Sequence, residues 1–109
     1  MIDVLMSAYN AESTIERAVN SVLDQTYQRF NLYVFDDCST DSTCDILGRI
    51  SDPRLTVIRS DKNIGTYASK NYMLKNFCTS PYVALHDADD ISEPRRLQIQ
   101  ALKMTSPVW

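Results

Sequence analysis

The sequence predicts an α/β fold: an open parallel sheet flanked by helices. Three observations lead there. Short apolar runs rich in β-branched and aromatic residues alternate with stretches of helical period. The best of those runs is apolar on nearly every position, the pattern of a strand covered on both faces. Strands that alternate with helices imply parallel pairing through right-handed crossovers.

Each element has its own justification. Ile2 to Met6 reads as a short buried strand, and Ser7-Ala8-Tyr9-Asn10 breaks it with turn-forming residues. A helix starts from Ser13, with Ser13 and Glu16 at capping-box spacing. Ile15, Ala18, Val19, Val22 and Leu23 then form one apolar stripe. Phe30 to Phe35 is the second strand, ending in Asp36-Asp37-Cys38-Ser39-Thr40-Asp41. That segment can cap a second helix, which puts Ile46, Leu47 and Ile50 inward and stops at Ser51-Asp52-Pro53. Leu55 to Ile58 is a third strand. The polar loop Arg59 to Gly65 follows, with Gly65 free to take a backbone shape other residues resist. Thr66 to Phe77 is a third helix with Tyr67, Leu74 and Phe77 on its inner side. Tyr82 to His86 is the fourth strand. Ser92-Glu93-Pro94 opens a fourth helix with Leu97, Ala101 and Met104 inward.

Composition narrows the function classes. The 109 residues suit one domain, 1–109, with a modest core. Hydrophobic residues at 44% and charged residues at 23% fit an ordinary soluble globular protein. A net charge of −3, with basic residues scattered apart from Arg95-Arg96, argues against a nucleic-acid partner. No apolar run approaches the length of a membrane span, and Met1-Ile2-Asp3-Val4-Leu5 lacks the marks of a secretory signal. Cys38, Cys44 and Cys78 are odd in number and lack Cys-x-x-Cys spacing, so free thiols in a reducing cytoplasm are expected. His86, the only histidine, closes an apolar run and reads as a packing residue with a polar tip.

The chemistry concentrates at Asp87-Ala88-Asp89-Asp90. Carboxylates packed that closely repel and resist desolvation, so a fold tolerates them more easily around a cation. Two carboxylates one residue apart suit a hard divalent ion, Mg²⁺ or Mn²⁺, that keeps waters or takes phosphate oxygens. The plain alternative is a solvated acidic loop capping the next helix. In an open α/β sheet, ligands bind outside the carboxyl ends of the strands. The polar clusters fall at those ends: Ser7 to Asn10 after the first strand, Asp36-Asp37 after the second, and the acidic run after the fourth. A strand order of 3-2-1-4 would bring Tyr9, Asp37 and Asp89 to one crevice. There a tyrosine ring can stack on a base and a carboxylate can accept from a base N–H. The first acid after the fourth strand can hold ribose hydroxyls, and the second the metal. Lys62 or Lys70 can add positive charge near phosphates. No Gly-x-Gly-x-x-Gly follows the first strand and no Walker-type loop occurs, which argues against dinucleotide and P-loop chemistry.

Five motifs, in order and covering about Ile2 to Leu97, resemble family 2 glycosyltransferases of the GT-A fold. They are Ser7-Ala8-Tyr9-Asn10-Ala11-Glu12, Ser21-Val22-Leu23-Asp24-Gln25-Thr26-Tyr27, Asp36 to Asp41, Asn63-Ile64-Gly65 with Lys70-Asn71, and Asp87-Ala88-Asp89-Asp90. The resemblance implies a Rossmann-like sheet, a nucleotide-sugar donor with uridine as the default base, a divalent metal, and transfer with inversion to a glycan or lipid-linked acceptor. Carried over by position, Ser7, Tyr9 and Asp37 contact the base and its surroundings, Asp87 lies near the ribose, Asp89 ligates the metal, and Asp90 supports it. Glu12 matches a frequent family residue whose expected work is at a helix N-terminus. Members of the family run well past 109 residues, and their later part supplies the general base and most acceptor contacts. The chain is therefore expected to be a donor-binding half, cytoplasmic or at the inner face of a membrane, with apolar surface through which it could self-associate. Two other readings stand beside it. One is a nucleotidyltransferase, which would want a glycine- and lysine-rich loop after the first strand. The other is a non-catalytic nucleotide-binding or interaction module.

Overall fold

A computed structural model of the chain describes residues 1–80, 82–89 and 94–99. β1 (Ile2–Ala8) is buried along its length apart from half-buried Ser7, and burial on both faces places it inside the sheet. It pairs in parallel with β2 (Phe30–Asp36) on one side and with β4 (Tyr82–Asp87) on the other. β3 (Leu55–Arg59) pairs in parallel with β2, so the described order is β3-β2-β1-β4, as expected. The strands run one or two residues past their apolar runs. A backbone ladder does not require an apolar side chain, and the registers Ser7↔Asp87, Ala8↔Asp36 and Asp36↔Arg59 carry the pairing into the polar tips.

The two faces of β1 are covered differently. Ile2, Val4, Met6 and Ala8 lie in one buried cluster with Ile15, Ala18, Val19, Val22 and Leu23 of α1 (Ile15–Leu23), the stripe read from sequence. Leu47 of α2 (Thr43–Arg49) joins the same cluster, with Ile46 and Ile50 half-buried against it. Leu5, on the other face, packs with Phe35 and with Met73 of α3 (Thr66–Asn76). Tyr33 and Phe77 extend this second cluster, their ring centroids 5.8 Å apart. His86 is buried, as a packing residue should be, and its Nδ1 lies 2.7 Å from the Asp87 carbonyl oxygen. Cys38, Cys44 and Cys78 are free and half-buried. Among the described residues no helix is long and apolar enough to cross a membrane.

Two local expectations are corrected. The Ser13–Glu16 capping box does not form: Thr14 is the N-cap of α1 and makes no side-chain cap bond. The Ala11 carbonyl takes the amides of both Thr14 and Ile15, so the first turn is closed by backbone. The inner side of α3 is not Tyr67 and Leu74, which are 83% and 42% exposed; Ser69 and Met73 are buried there. At 3.6 residues per turn, positions 69, 73 and 77 form one row, with 74 about 100° and 67 about 120° away from its middle. Ser69, small and polar, lets α3 approach the end of β1. Of the fourth helix, residues 96–99 form a single turn with Leu97 buried, as expected. Its start at Ser92-Glu93, its inward Ala101 and Met104, and Asp90 lie outside the described residues.

Asp3 is fully buried beneath the α3–β4 connection. Its carboxylate accepts from the amides of Thr79 and Ser80, both at 3.0 Å, and from Asn31 Nδ2 at 3.2 Å. Burial pushes this carboxyl up, but the Ser80 amide, the Asn31 side chain and the Thr79 amide outweigh it and hold the group below its ordinary 3.8. A folded value below the unfolded one means that the stabilisation is full above the unfolded pKa and is lost as pH falls through the folded one. Asp3→Ala, which strands buried donors, should cost about 3 kcal/mol in urea unfolding at pH 7. Between pH 6 and pH 3 the unaltered chain should lose more stability than Asp3→Asn does; equal losses would contradict this role.

Candidate functional site

Above the carboxyl ends of β1 and β4 lies an open cleft of about 500 Å³, lined by Ser7, Tyr9, Asn10, Ala11, Ser13, Thr14, Thr66, Asp87, Ala88 and Asp89. The sheet order makes this cleft. β1 and β4 are neighbours although 80 residues separate their tips, because Ser7 pairs with Asp87. Of the residues expected at the site, Ser7, Tyr9, Asp87 and Asp89 come together here. Tyr9 is half-exposed on the wall, and Asp87 and Asp89 are both exposed.

α3 braces the floor from behind. Ser69 Oγ, fully buried, lies 2.7 Å from Ser7 Oγ. The next residue, Lys70, places Nζ 3.3 Å from Asp87 Oδ1. Lys70 does not line the cleft; its side chain is largely covered and offsets charge on the cleft's first carboxylate. Lys62 is exposed in the β3–α3 loop, where its amide caps Ser60 Oγ, and it does not line the cleft either.

The Tyr9 loop is held by bonds that the sequence did not reveal. Asn10 takes a left-handed backbone, φ 47°, which asparagine tolerates better than most residues. Its amide donates to Ser39 Oγ at 3.0 Å, and its Oδ1 accepts from the Thr40 amide at 2.8 Å. The Ala11 amide donates to Thr43 Oγ1 at 2.8 Å. Glu12 does serve a helix N-terminus, but that of α2: its Oε2 accepts from the Ser42 amide at 3.0 Å. Asp41 answers from the loop before α2, accepting from the Thr43 amide at 2.9 Å and the Glu12 amide at 3.3 Å. The only signal in the sequence was that both loops are rich in small polar residues, and pairing between loops cannot be read from composition.

Asp37 does not line the cleft. It is 2% exposed, and its two oxygens accept from the Ile64 amide at 2.7 Å and the Gly65 amide at 2.8 Å. It therefore pins the loop that starts α3, in which Gly65 takes φ +87°. The neighbouring Asp36 is fully buried; Oδ1 accepts from the Ser39 amide at 3.2 Å.

The donor set suits a hard cation. Asp87 and Asp89 present carboxylates to one open cleft, and Lys70 engages one oxygen of Asp87. Among the described residues no three His, Cys, Asp or Glu side chains gather to cage an ion. Hard divalent cations take oxygen ligands, and Asp87 and Asp89 are the described cleft carboxylates that could supply them.

Comparison with known proteins agrees with this architecture. The model of glycosyl transferase family 2 matches residues 3–108, and the chain belongs to that family. It is 36% identical over 90 residues to the Escherichia coli UDP-Glc:alpha-D-GlcNAc-diphosphoundecaprenol beta-1,3-glucosyltransferase WfaP, covering 83% of this chain and 36% of that protein. The solved structure of S. aureus TarS 1-349 in complex with UDP-GlcNAc superposes with a TM-score of 0.84 at 30% identity, covering 93% of this chain and 30% of TarS 1-349. A mannosyltransferase, PcManGT from Pyrobaculum calidifontis, in complex with GDP-Man and Mn²⁺, gives 0.84 at 26% identity, covering 97% and 32%. The fold is thus GT-A. The chain spans about a third of the length of the relatives it matches.

Removal of the Asp37 carboxylate should free the loop without unmaking the sheet. In Asp37→Ala, hydrogen exchange at the Ile64 and Gly65 amides should quicken about tenfold or more, with the amides of β1 unchanged. Unaltered exchange at Ile64 and Gly65 would contradict the pinning role.

Proposed function

We propose that residues 1–109 are the donor-binding part of a longer, metal-dependent, inverting glycosyltransferase that uses a nucleotide-diphosphate sugar. The observation that carries this reading is the convergence of Ser7, Tyr9, Asp87 and Asp89 on one cleft at the tips of β1 and β4. A UDP-sugar is the donor best supported, since TarS 1-349 was solved with UDP-GlcNAc and the name of WfaP specifies UDP-Glc. Tyr9 offers a ring face to the base. Ser7, steadied by Ser69, offers a hydroxyl beside it. Asp37 serves the base side chiefly by holding the Ile64–Gly65 loop, and each of its oxygens keeps a second lone pair for a base N–H. Asp87 meets the ribose, with Lys70 behind it limiting repulsion between the acids and the diphosphate.

Asp89 holds the divalent metal, Mn²⁺ or Mg²⁺, together with donor phosphate oxygens. When bound, that ion offsets the charge that grows on the departing diphosphate. The general base and the acceptor contacts come from chain outside these 109 residues. A glycan or lipid-linked acceptor, glycosylated at the cytoplasmic side of a membrane, fits the diphosphoundecaprenol substrate named for WfaP. The 109 residues alone should bind donor and transfer essentially no sugar.

The test is calorimetric titration of UDP with and without Mn²⁺, on the chain and on Asp89→Ala. Binding should depend on Mn²⁺ and weaken at least about tenfold in the variant, since even outer-shell partners of a metal cost that much. Equal affinity with and without metal would support the non-catalytic nucleotide-binding module instead.

A further inference from the structure

The Ser21–Tyr27 motif carries no cleft residue, yet its end is bonded to the chain just beyond the acidic loop. Gln25 is 1% exposed. Its Nε2 donates to the Ser21 carbonyl at 3.0 Å, one turn back on α1. Its Oε1 accepts from the Leu97 amide at 2.9 Å, 72 residues away. The next residue repeats the connection: the Thr26 amide donates to the Pro94 carbonyl at 2.9 Å, and Thr26 Oγ1 donates to Gln98 Oε1 at 2.8 Å. The same short segment is also tied back to β4, because Arg96 Nη2 donates to the Leu85 carbonyl at 2.7 Å.

We infer that Gln25, with Thr26, is a positioning residue for the metal-binding carboxylate Asp89, acting through the 94–98 segment. The acidic loop is covalently bounded by β4 on one side and by Pro94 on the other. The sheet register fixes the first boundary through Ser7↔Asp87. The Gln25–Leu97 and Thr26–Pro94 bonds fix the second to the end of α1. Leu97 and Ala88 share the buried cluster that α1 covers, and Ala88 sits between Asp87 and Asp89. In this proposal a shift of Leu97 is passed through that cluster to Ala88, and so to the backbone of both acids. The chemistry of residue 25 suits this task. A glutamine supplies donor and acceptor from one uncharged, buried group, so it bridges α1 and the Leu97 amide without the cost of burying a charge.

This inference rests on the metal-dependent donor site proposed above, and the experiment separates the two. Mn²⁺ affinity at saturating UDP, UDP affinity without metal, and hydrogen exchange at the Leu97 amide are measured for the chain, Gln25→Met and Gln25→Glu. Gln25→Met should weaken Mn²⁺ about tenfold and speed Leu97 exchange, while UDP affinity without metal stays unchanged. Gln25→Glu keeps an acceptor for the Leu97 amide but loses the donor to Ser21 and buries a charge, so it should bind Mn²⁺ more tightly than Gln25→Met and less tightly than the unaltered chain. A role confined to stability would lower the unfolding midpoint of Gln25→Met and leave Mn²⁺ affinity of the folded fraction unmoved, which overturns the inference. If Gln25→Met does not fold, Thr26→Val carries the test from an exposed side chain: about threefold weaker Mn²⁺ binding is expected, and an unchanged value overturns the inference. An unaltered chain whose UDP binding ignores Mn²⁺ overturns the donor-site reading and this inference with it. A chain that needs Mn²⁺, with Gln25→Met binding it equally well, overturns this inference alone.

Discussion

The parallel pairing of β1 with β4 is the contact on which the site depends. It sets Ser7 beside Asp87 at the carboxyl edge of the sheet. A slip of one residue in β1 would turn Ser7 from the α3 face to the α1 face and part it from Asp87, which stays with β4. What prevents the slip is burial on both sides of β1. Its even positions belong to the α1 cluster and Leu5 belongs to the α3 cluster, so no one-residue slip keeps both sets covered. The hydrophobic core thus places the polar tips, and the chemistry of the cleft is a consequence of apolar packing several ångströms below it.

Around those tips, the loops are organised by reciprocal bonds. The β1–α1 and β2–α2 loops exchange them, with Glu12 serving α2 and Asp41 serving the Glu12 amide. Asp37 holds the start of α3, and α3 returns Ser69 and Lys70 to the floor of the cleft. The described loops after β1, β2 and β3 are therefore each bonded to a neighbour, and Tyr9 projects from backbone that is held in place. That pre-organisation matters for a site built of like charges. Lys70 offsets one carboxylate, which leaves Asp89 the more open of the two for a cation.

Much of the fold was legible in the sequence, and the reason is physical. The α1 stripe, the doubly covered second strand and the polar clusters after each strand are local patterns, and together they sufficed for a parallel sheet and the edge that bears the cleft, while the strand order was the one the family resemblance implied. Features decided by tertiary partners were not legible. α3 carries no clear apolar stripe, so Tyr67 looked like an inward residue when Ser69 held that place. The Ser13–Glu16 spacing suggested a capping box, and the Ala11 carbonyl closed the turn instead. Asp37 was legible as an acceptor at a strand tip, but its hold on the Ile64 and Gly65 amides was not. Gln25 gave no hint of its work because its partner lies 72 residues along the chain.

The charge arrangement at the cleft finally decides whether a nucleotide diphosphate belongs there. A crystal structure of the chain with UDP and Mg²⁺ addresses it most directly. An Asp89 oxygen should lie about 2.0–2.1 Å from the ion, with diphosphate oxygens on the same ion and the base against Tyr9. A diphosphate seated elsewhere, or an ion held without Asp89, would contradict the site described here.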